Sequence, residues 1–447
     1  MSKEKLSKLR NIIKKNKVDG YLVPHNDEFF NESIPEANKR LEWLTSFDGS
    51  AGLALILMDK AYLLVDGRYT IQAKKQVDSK LFNIIHTRDT TIYELLKSIR
   101  TKLTIGFHPK VHSIINIHNF KKNLTNKLIS FKEIKNNLVD IVWDQRPDLN
   151  FNEITIQELK FSGQPSKEKI RDVTEIIKVN HADSIIITDC ELIAWLLNIR
   201  GTDLDFTPIP LTIMIINKKG NCIFFTNSTV NSKIKKHLGS KIKIEGLSKI
   251  ESYLERLGKN KEKVIVDDKT CSYWVFNNLK YHGAKLKVKN SSCSTLKACK
   301  NKIEVNGMRR AHVRDGVSLV KTLYWIEKNI QQNTLNEMIV SEKLFEFRVN
   351  NDNFTGLSFP TITGTGPNGA IVHYRPSKEK SRTIKKGDLL LMDSGGQYLD
   401  GTTDVTRTIV IGRPTKEKKY MFTKVLKGHI ALASAIFPYG TTGHQLD

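Results

Sequence analysis

The residues best placed to do chemistry lie at 389–408, in the run LLLMDSGGQYLDGTTDVTRT. An apolar strand ends there on Asp393, Asp400 and Gly401 supply a two-residue turn, and the return strand carries Asp404. With that turn, position 404 pairs with 397, an even number of residues from 393, so both carboxylates face one side of the sheet. This register leaves them about 13 Å apart along the strand at roughly 3.3 Å per residue. Gly395 and Gly396 offer a bulge that would close the gap and also shift the parity. Two carboxylates at the end of a buried strand are costly as bare charges, and a hard divalent cation relieves that cost. On chemistry alone, a solvated hairpin end with turn-forming aspartates is the simpler account.

His373 is the other candidate. It follows the Gly-rich segment GTGPNGA at 364–370 on a strand IVHY at 371–374, with Ser358, Phe359 and Pro360 upstream. A lone histidine is more often structural than catalytic.

The elements that must hold these residues can be traced upstream. Residues 303–330 form a long helix with Val313, Val317, Val320 and Tyr324 at helical spacing. A second helix is opened by Thr334 and Glu337 in capping-box spacing, and strands follow beyond Gly356. At the N-terminus a helix at 3–16 leads into a buried strand at 21–24. A hairpin of 53–58 with 61–65 and a helix at 70–77 complete an α/β layered pattern. Residues 182–226 repeat this plan. Ile185, Ile186 and Ile187 give the strand, Ala194-Trp195-Leu196 echoes Glu42-Trp43-Leu44, Gly201 echoes Gly49, and a hairpin of 212–216 with 222–226 closes the set. Such self-similarity indicates duplication. Boundaries near 142–147 and 290–300 divide the chain into 1–136, 148–290 and 296–447.

A chain of 447 residues exceeds what one core serves, near roughly 250 residues, and fits about three domains. No apolar run approaches the roughly 18 residues that span a bilayer, and the opening MSKEKLSKLR lacks the apolar run of a signal peptide. A cytoplasmic protein without a membrane partner is expected. Cys190, Cys222, Cys271, Cys293 and Cys299 form no C-x-x-C pair and no even set, so they read as reduced thiols. The net charge of +24 is spread over the whole length with no basic helix, RNA motif or finger spacing, so nucleic acid is not an expected partner.

The runs GPNGAIVHY and MDSGGQYLDGTTDVTRT resemble the catalytic core of the aminopeptidase P family, in the creatinase and prolidase group with the pita-bread fold. FDGSAG at 47–52, DGRY at 66–69, WDQRP at 143–147, IAWLLNIRGTD at 193–203, NGMRRAH at 306–312 and LKGHIA at 426–431 resemble marks of its three-domain eukaryotic-type branch. The resemblance implies two related creatinase-N-type α/β domains followed by a pita-bread domain, α/β and α+β overall. It implies an Xaa-Pro aminopeptidase, which removes the N-terminal residue from short peptides with proline at position two. Two divalent metal ions, usually manganese with zinc or cobalt as alternatives, would be held by five side chains. Asp393 and Asp404 match the first two, and a histidine and two glutamates would lie further along. His373 matches the first active-site histidine, near the scissile carbonyl, and Thr406 matches a residue that supports the second aspartate.

Beyond Asp404 the sequence departs from the family. Its H-G-T-G-H, E-P-G and R-I-E-N runs are absent, and the carboxylates and imidazoles that follow are Glu417, Asp447, His429 and His444. Glu417 falls in a Lys-rich loop, and His429 falls on a helix at a non-ligand position. An incomplete pita-bread domain is therefore expected, without three of the five ligands and without the acid–base glutamate. Two function classes follow. In one, the chain is the first part of a peptidase whose C-terminal fragment is supplied as a separate chain. In the other, it is a catalytically inactive fragment serving as a peptide-binding or dimerising module, in the latter case a homodimer.

Overall fold

The computed structural model describes residues 2–124, 128–289, 292–330 and 335–447. Helix α1 (Ser2–Lys15) turns Leu6, Leu9 and Ile13 to one side, and this stripe packs onto a sheet. The strands are β1 (Gly20–Pro24), β2 (Leu53–Leu57), β3 (Ala61–Val65), β4 (Asn83–His86), β5 (Leu103–Phe107) and β6 (Ile129–Glu133), in spatial order β4-β3-β2-β1-β5-β6. β2 pairs antiparallel with β1 and β3, and the remaining pairs are parallel.

The second sheet is built from β7 (Ser184–Ile187), β8 (Thr212–Asn217), β9 (Cys222–Thr226), β10 (Ile242–Glu245), β11 (Lys263–Val266) and β12 (Lys285–Val288). Its order is β10-β9-β8-β7-β11-β12, the same connectivity with the same parallel and antiparallel choices. Trp43 on α2 (Arg40–Thr45) corresponds to Trp195 on a later helix, and the leucine after each is fully buried. The two sheets share one apolar cluster, in which Leu22, Ile105 and Ile114 meet Ile186, Val264 and Leu279. The junction is quasi-symmetric. Ser113 and Ser272, which cap α3 (Ile114–Asn123) and a helix at Tyr273–Tyr281, pair across it.

Trp195 lies on α4 (Cys190–Leu197), and the Tyr273–Tyr281 helix is α5. After β12 comes α6 (Ser292–Ala298), whose Cys293 and Leu296 join the second core. That core therefore runs past residue 290.

The third region opens with α7 (Lys302–Asn329) and α8 (Glu337–Val349). The valine stripe does not face a core, since Val313, Val317, Val320 and Tyr324 are all exposed. The buried face instead carries Gly307, Ala311, Asp315, Ser318, Leu319, Thr322 and Ile326. Thr334 lies outside the described residues, and α8 is capped by Asn336, whose side chain accepts the Ile339 N–H at 2.9 Å. Six strands follow: β13 (Phe354–Leu357), β14 (Ile362–Thr365), β15 (Leu389–Ser394), β16 (Gly396–Tyr398), β17 (Gly401–Thr402) and β18 (Val405–Val410). They form two three-stranded sheets, β13-β16-β17 and β14-β15-β18. Glu417 sits in the first turn of α9 (Lys416–Ser434) rather than in a loop, and none of the residues of α9 is buried.

Candidate active-site cleft

Strand β15 alternates cleanly. Leu390, Met392 and Ser394 are buried, with Leu390 and Met392 in the apolar cluster under α7 and α8, while Leu389, Leu391 and Asp393 turn to the other face. The hairpin turn sits one residue earlier than the sequence suggested, which shifts the strand pairing by two residues. Tyr398 pairs with Gly401, so Leu399 and Asp400 are its central residues. Asp393 lies opposite Thr406, Ser394 opposite Val405 and Gln397 opposite Thr402, an unbroken register across both sheets. Asp404 therefore falls opposite Gly395, on the same face as Asp393 and about 7 Å along the strand. No bulge is needed to bring the carboxylates together.

Distant partners set this register. Asp400 is buried and ion-paired with Arg314 and, at 3.5 Å, with Arg310, both on α7. A Cβ at Gly307 would stand 2.2 Å from the Asp400 carbonyl oxygen, so helix and turn are in backbone contact. The second domain grips the same tip, through Gln157 Nε2 to Leu399 O at 2.5 Å and Gln397 Nε2 to Phe206 O at 2.8 Å. Behind β15, Arg348 donates to both oxygens of Asp315 at 2.8 Å and to Ser394 Oγ at 3.0 Å.

Burial pushes the Asp393 carboxyl above its usual range, and the Asp404 charge adds to this, while the Thr406 hydroxyl and His373 oppose it. Thr406 thus supports the first aspartate, not the second as the resemblance implied. His373 lies in a turn after the short helix Gly366–Ala370, not on a strand. Its ring meets Tyr69 of the first domain at 5.2 Å between centroids. Burial lowers its pKa, as do the guanidiniums of Arg68 and Arg375, against the weaker pull of Glu32 and Asp393.

The loop that carries His373 is held by Glu337, whose contribution the sequence did not disclose. This fully buried carboxylate accepts from Thr365 N at 2.6 Å, Asn368 Nδ2 at 3.0 Å, Tyr374 Oη at 2.7 Å and Arg382 N at 2.9 Å. The only signal was a glutamate at a helix start, which read as a cap.

His373, Asp393 and Asp404 line one cleft of about 480 Å³. Asp48 and Tyr69 of the first domain and Phe206 of the second line it too, which sequence patterns gave no reason to expect. Asp393 Oδ1 is buried with no hydrogen-bond partner, which suits a cation at that oxygen. Among the described residues, however, no group of three or more His, Cys, Asp or Glu side chains is gathered to hold a metal ion. The two aspartates fit a divalent ion, but as a donor set for a pair of ions they are incomplete.

Paired sheets of creatinase type leading to a carboxylate-bearing hairpin define a creatinase/prolidase-class metallopeptidase, and comparison with known proteins bears this out. Residues 5–140 and 145–304 match the creatinase/prolidase N-terminal domain, and residues 306–447 match metallopeptidase family M24. The probable Xaa-Pro aminopeptidase P of Laccaria bicolor is 37% identical, over 99% of this chain and 70% of its own. Xaa-Pro aminopeptidase 1 of Dictyostelium discoideum is 36% identical, over 99% of this chain and 73% of its own. The crystal structure of X-prolyl aminopeptidase from Caenorhabditis elegans, a cytosolic enzyme with a di-nuclear active site, superposes with a TM-score of 0.93 at 29% identity. It covers 100% of this chain and 76% of that one. The chain belongs to the Xaa-Pro aminopeptidase P family, whose members are hydrolytic metalloenzymes.

Proposed function

We propose that this chain serves an Xaa-Pro aminopeptidase, hydrolysing the bond between an N-terminal residue and a following proline. The observation that carries the reading is the shared cleft, where Asp393, Asp404 and His373 converge from separate segments. Asp393 and Asp404 would hold divalent cations, and a bound pair of such ions supplies a hydroxide nucleophile and polarises the carbonyl it attacks. Hard oxygen donors suit manganese, with zinc and cobalt as alternatives. His373, kept largely neutral by burial and by Arg68 and Arg375, offers one ring N–H to the scissile carbonyl oxygen. Glu337 fixes Thr365, Asn368 and Tyr374, and so fixes the turn between them. Proline suits such a site because its tertiary amide has no N–H to satisfy and its φ is fixed.

The remaining donors would come from further polypeptide. The same polypeptide would cover the exposed apolar side chains of α7 and of α9, among them Val320, Tyr324, Tyr420, Phe422 and Val425. It is supplied either in line or as a separate chain. The division into 1–136, 148–290 and 296–447 belongs to this reading, with the second unit extended through α6, as does a cytoplasmic setting. No helix of the described residues is long and apolar enough to cross a membrane.

The incomplete donor set favours a second reading for these 447 residues by themselves, that of an inert peptide-binding module. An assay on an Xaa-Pro peptide with excess manganese separates the two. The 447-residue chain alone is expected to show no measurable cleavage, since each ion wants about six ligands. Adding the C-terminal polypeptide of a relative should restore activity, and Asp404→Ala should then abolish it. Failure to restore it favours the inert module. Robust cleavage by the chain alone, lost in Asp404→Ala, would show that its own residues complete the site.

A further inference from the structure

His373 belongs to the catalytic domain, but the surface its ring rests on does not. The Tyr69 ring, fully buried in the first domain, lies 5.2 Å from the imidazole at an interplanar angle of 45°. Tyr69 is itself fixed from several sides. Its hydroxyl is 2.7 Å from Ser50 Oγ and accepts the Ser50 N–H at 3.0 Å. Phe47 packs edge-on at 5.3 Å, and the Arg68 guanidinium lies 5.2 Å from the ring centre. Gly49 leaves room for this stack. A Cβ there would stand 2.2 Å from Phe47 Cζ and 2.8 Å from Tyr69 Cδ1, so an added methyl would have to displace these buried rings. Phe47, Gly49, Ser50 and Tyr69 therefore form a rigid block. His373 hangs from a turn and meets its surroundings through this ring contact and through charge.

We infer that Tyr69 is a positioning residue for His373, so that the working unit of the site spans the first and third domains. An imidazole held against a rigid neighbour keeps its reacting geometry, and a 1 Å misplacement costs on the order of 100-fold in rate. The inference rests on the role given to His373 above, and it gives a function to the wall of the cleft that the first domain supplies. Arg68 acts on His373 through charge, whereas Tyr69 acts through shape.

The test uses the full 447-residue chain with 13C-labelled histidine, the His373 signal being assigned by its loss in His373→Gln. A through-space coupling between the Tyr69 and His373 rings is expected in the unsubstituted protein, and its absence overturns the inference without any variant. Tyr69→Leu removes the ring current and should move the His373 signal toward that of the exposed His444, whereas Tyr69→Phe should leave it in place. Gly49→Ala displaces Phe47 and Tyr69 without touching His373. It should move the same signal, and it carries the test if Tyr69→Leu does not fold. An unmoved signal in a folded variant overturns the inference. Manganese titration separates this from the metal reading. Paramagnetic broadening of His373, lost in Asp404→Ala, supports cations at the aspartates, and its absence alongside an intact ring coupling counts against the metal role alone.

Discussion

At the scale of single residues, the weight of the site falls on one carboxylate that touches no substrate. Glu337 closes hydrogen bonds from two backbone amides, an asparagine and a tyrosine on either side of His373. Glu337→Ala would leave these donors buried without an acceptor, at about 1–3 kcal/mol for an unmet group. The groups share one site, so the costs do not add in full, and a loss of about 3 kcal/mol is expected. Urea unfolding of the catalytic domain measures it, and limited proteolysis at 366–374 should show the loop opening first. Glu337→Gln keeps one acceptor oxygen but gives up the charge, so its effect should fall between Glu337→Ala and wild type. An unchanged midpoint in Glu337→Ala would show that water replaces the carboxylate without cost.

At the scale of elements, the contact between α7 and the hairpin tip decides where Asp404 stands. Gly307 lets the helix meet the Asp400 carbonyl, and Gly401 sits against Met308 and Ala311. Gly307→Ala places a methyl against backbone, which cannot rotate away, so the tip must lift. Overpacking of this kind costs typically 1–3 kcal/mol, and the lift also draws Asp404 from Asp393. A lowered melting temperature together with weaker manganese binding is expected. Weaker binding at unchanged stability would mean that the tip moves freely, and lowered stability with unchanged binding would uncouple tip from site. The small and polar face of α7 follows from the same contact, because a closely approaching backbone leaves no room for valine.

At the scale of the molecule, the second domain is tied to the catalytic domain through a buried polar relay. Lys169 donates to Trp195 O at 2.9 Å and Asn198 Oδ1 at 2.8 Å. Trp195 Nε1 donates to Glu304 Oε1 at 3.0 Å, and Glu304 closes a capping box with Asn301 at the start of α7. Burial pulls the Lys169 pKa down to about 8, with Glu304 opposing and Arg200 assisting. The unfolded chain, near 10.4, then holds its proton where the folded chain has released it. Stability therefore rises with pH between about 8 and 10.4, by at most about 1.4 kcal/mol per unit, and this contribution is flat at neutral pH. The difference in melting temperature between wild type and Lys169→Met, followed from pH 7 to 10.5, checks the sign. A difference that does not change over that range would show that Lys169 stays charged in the fold.

The sequence by itself determined the repeated α/β plan, the hairpin that carries Asp393 and Asp404, and the family, because these rest on short-range order. Apolar runs, turn pairs and Trp positions act within a few residues, and both copies keep the same strand order. Tertiary structure decided the rest. The turn moved to Leu399 and Asp400, where the buried Asp400 charge meets Arg310 and Arg314 and the tip is gripped by Gln157. The valine stripe of α7 is helical in period yet exposed, since burial follows the surface a helix meets and not its periodicity. Glu337 and Tyr69 gained their places in the site from loops far away in the chain, by packing and hydrogen bonds that no local pattern encodes.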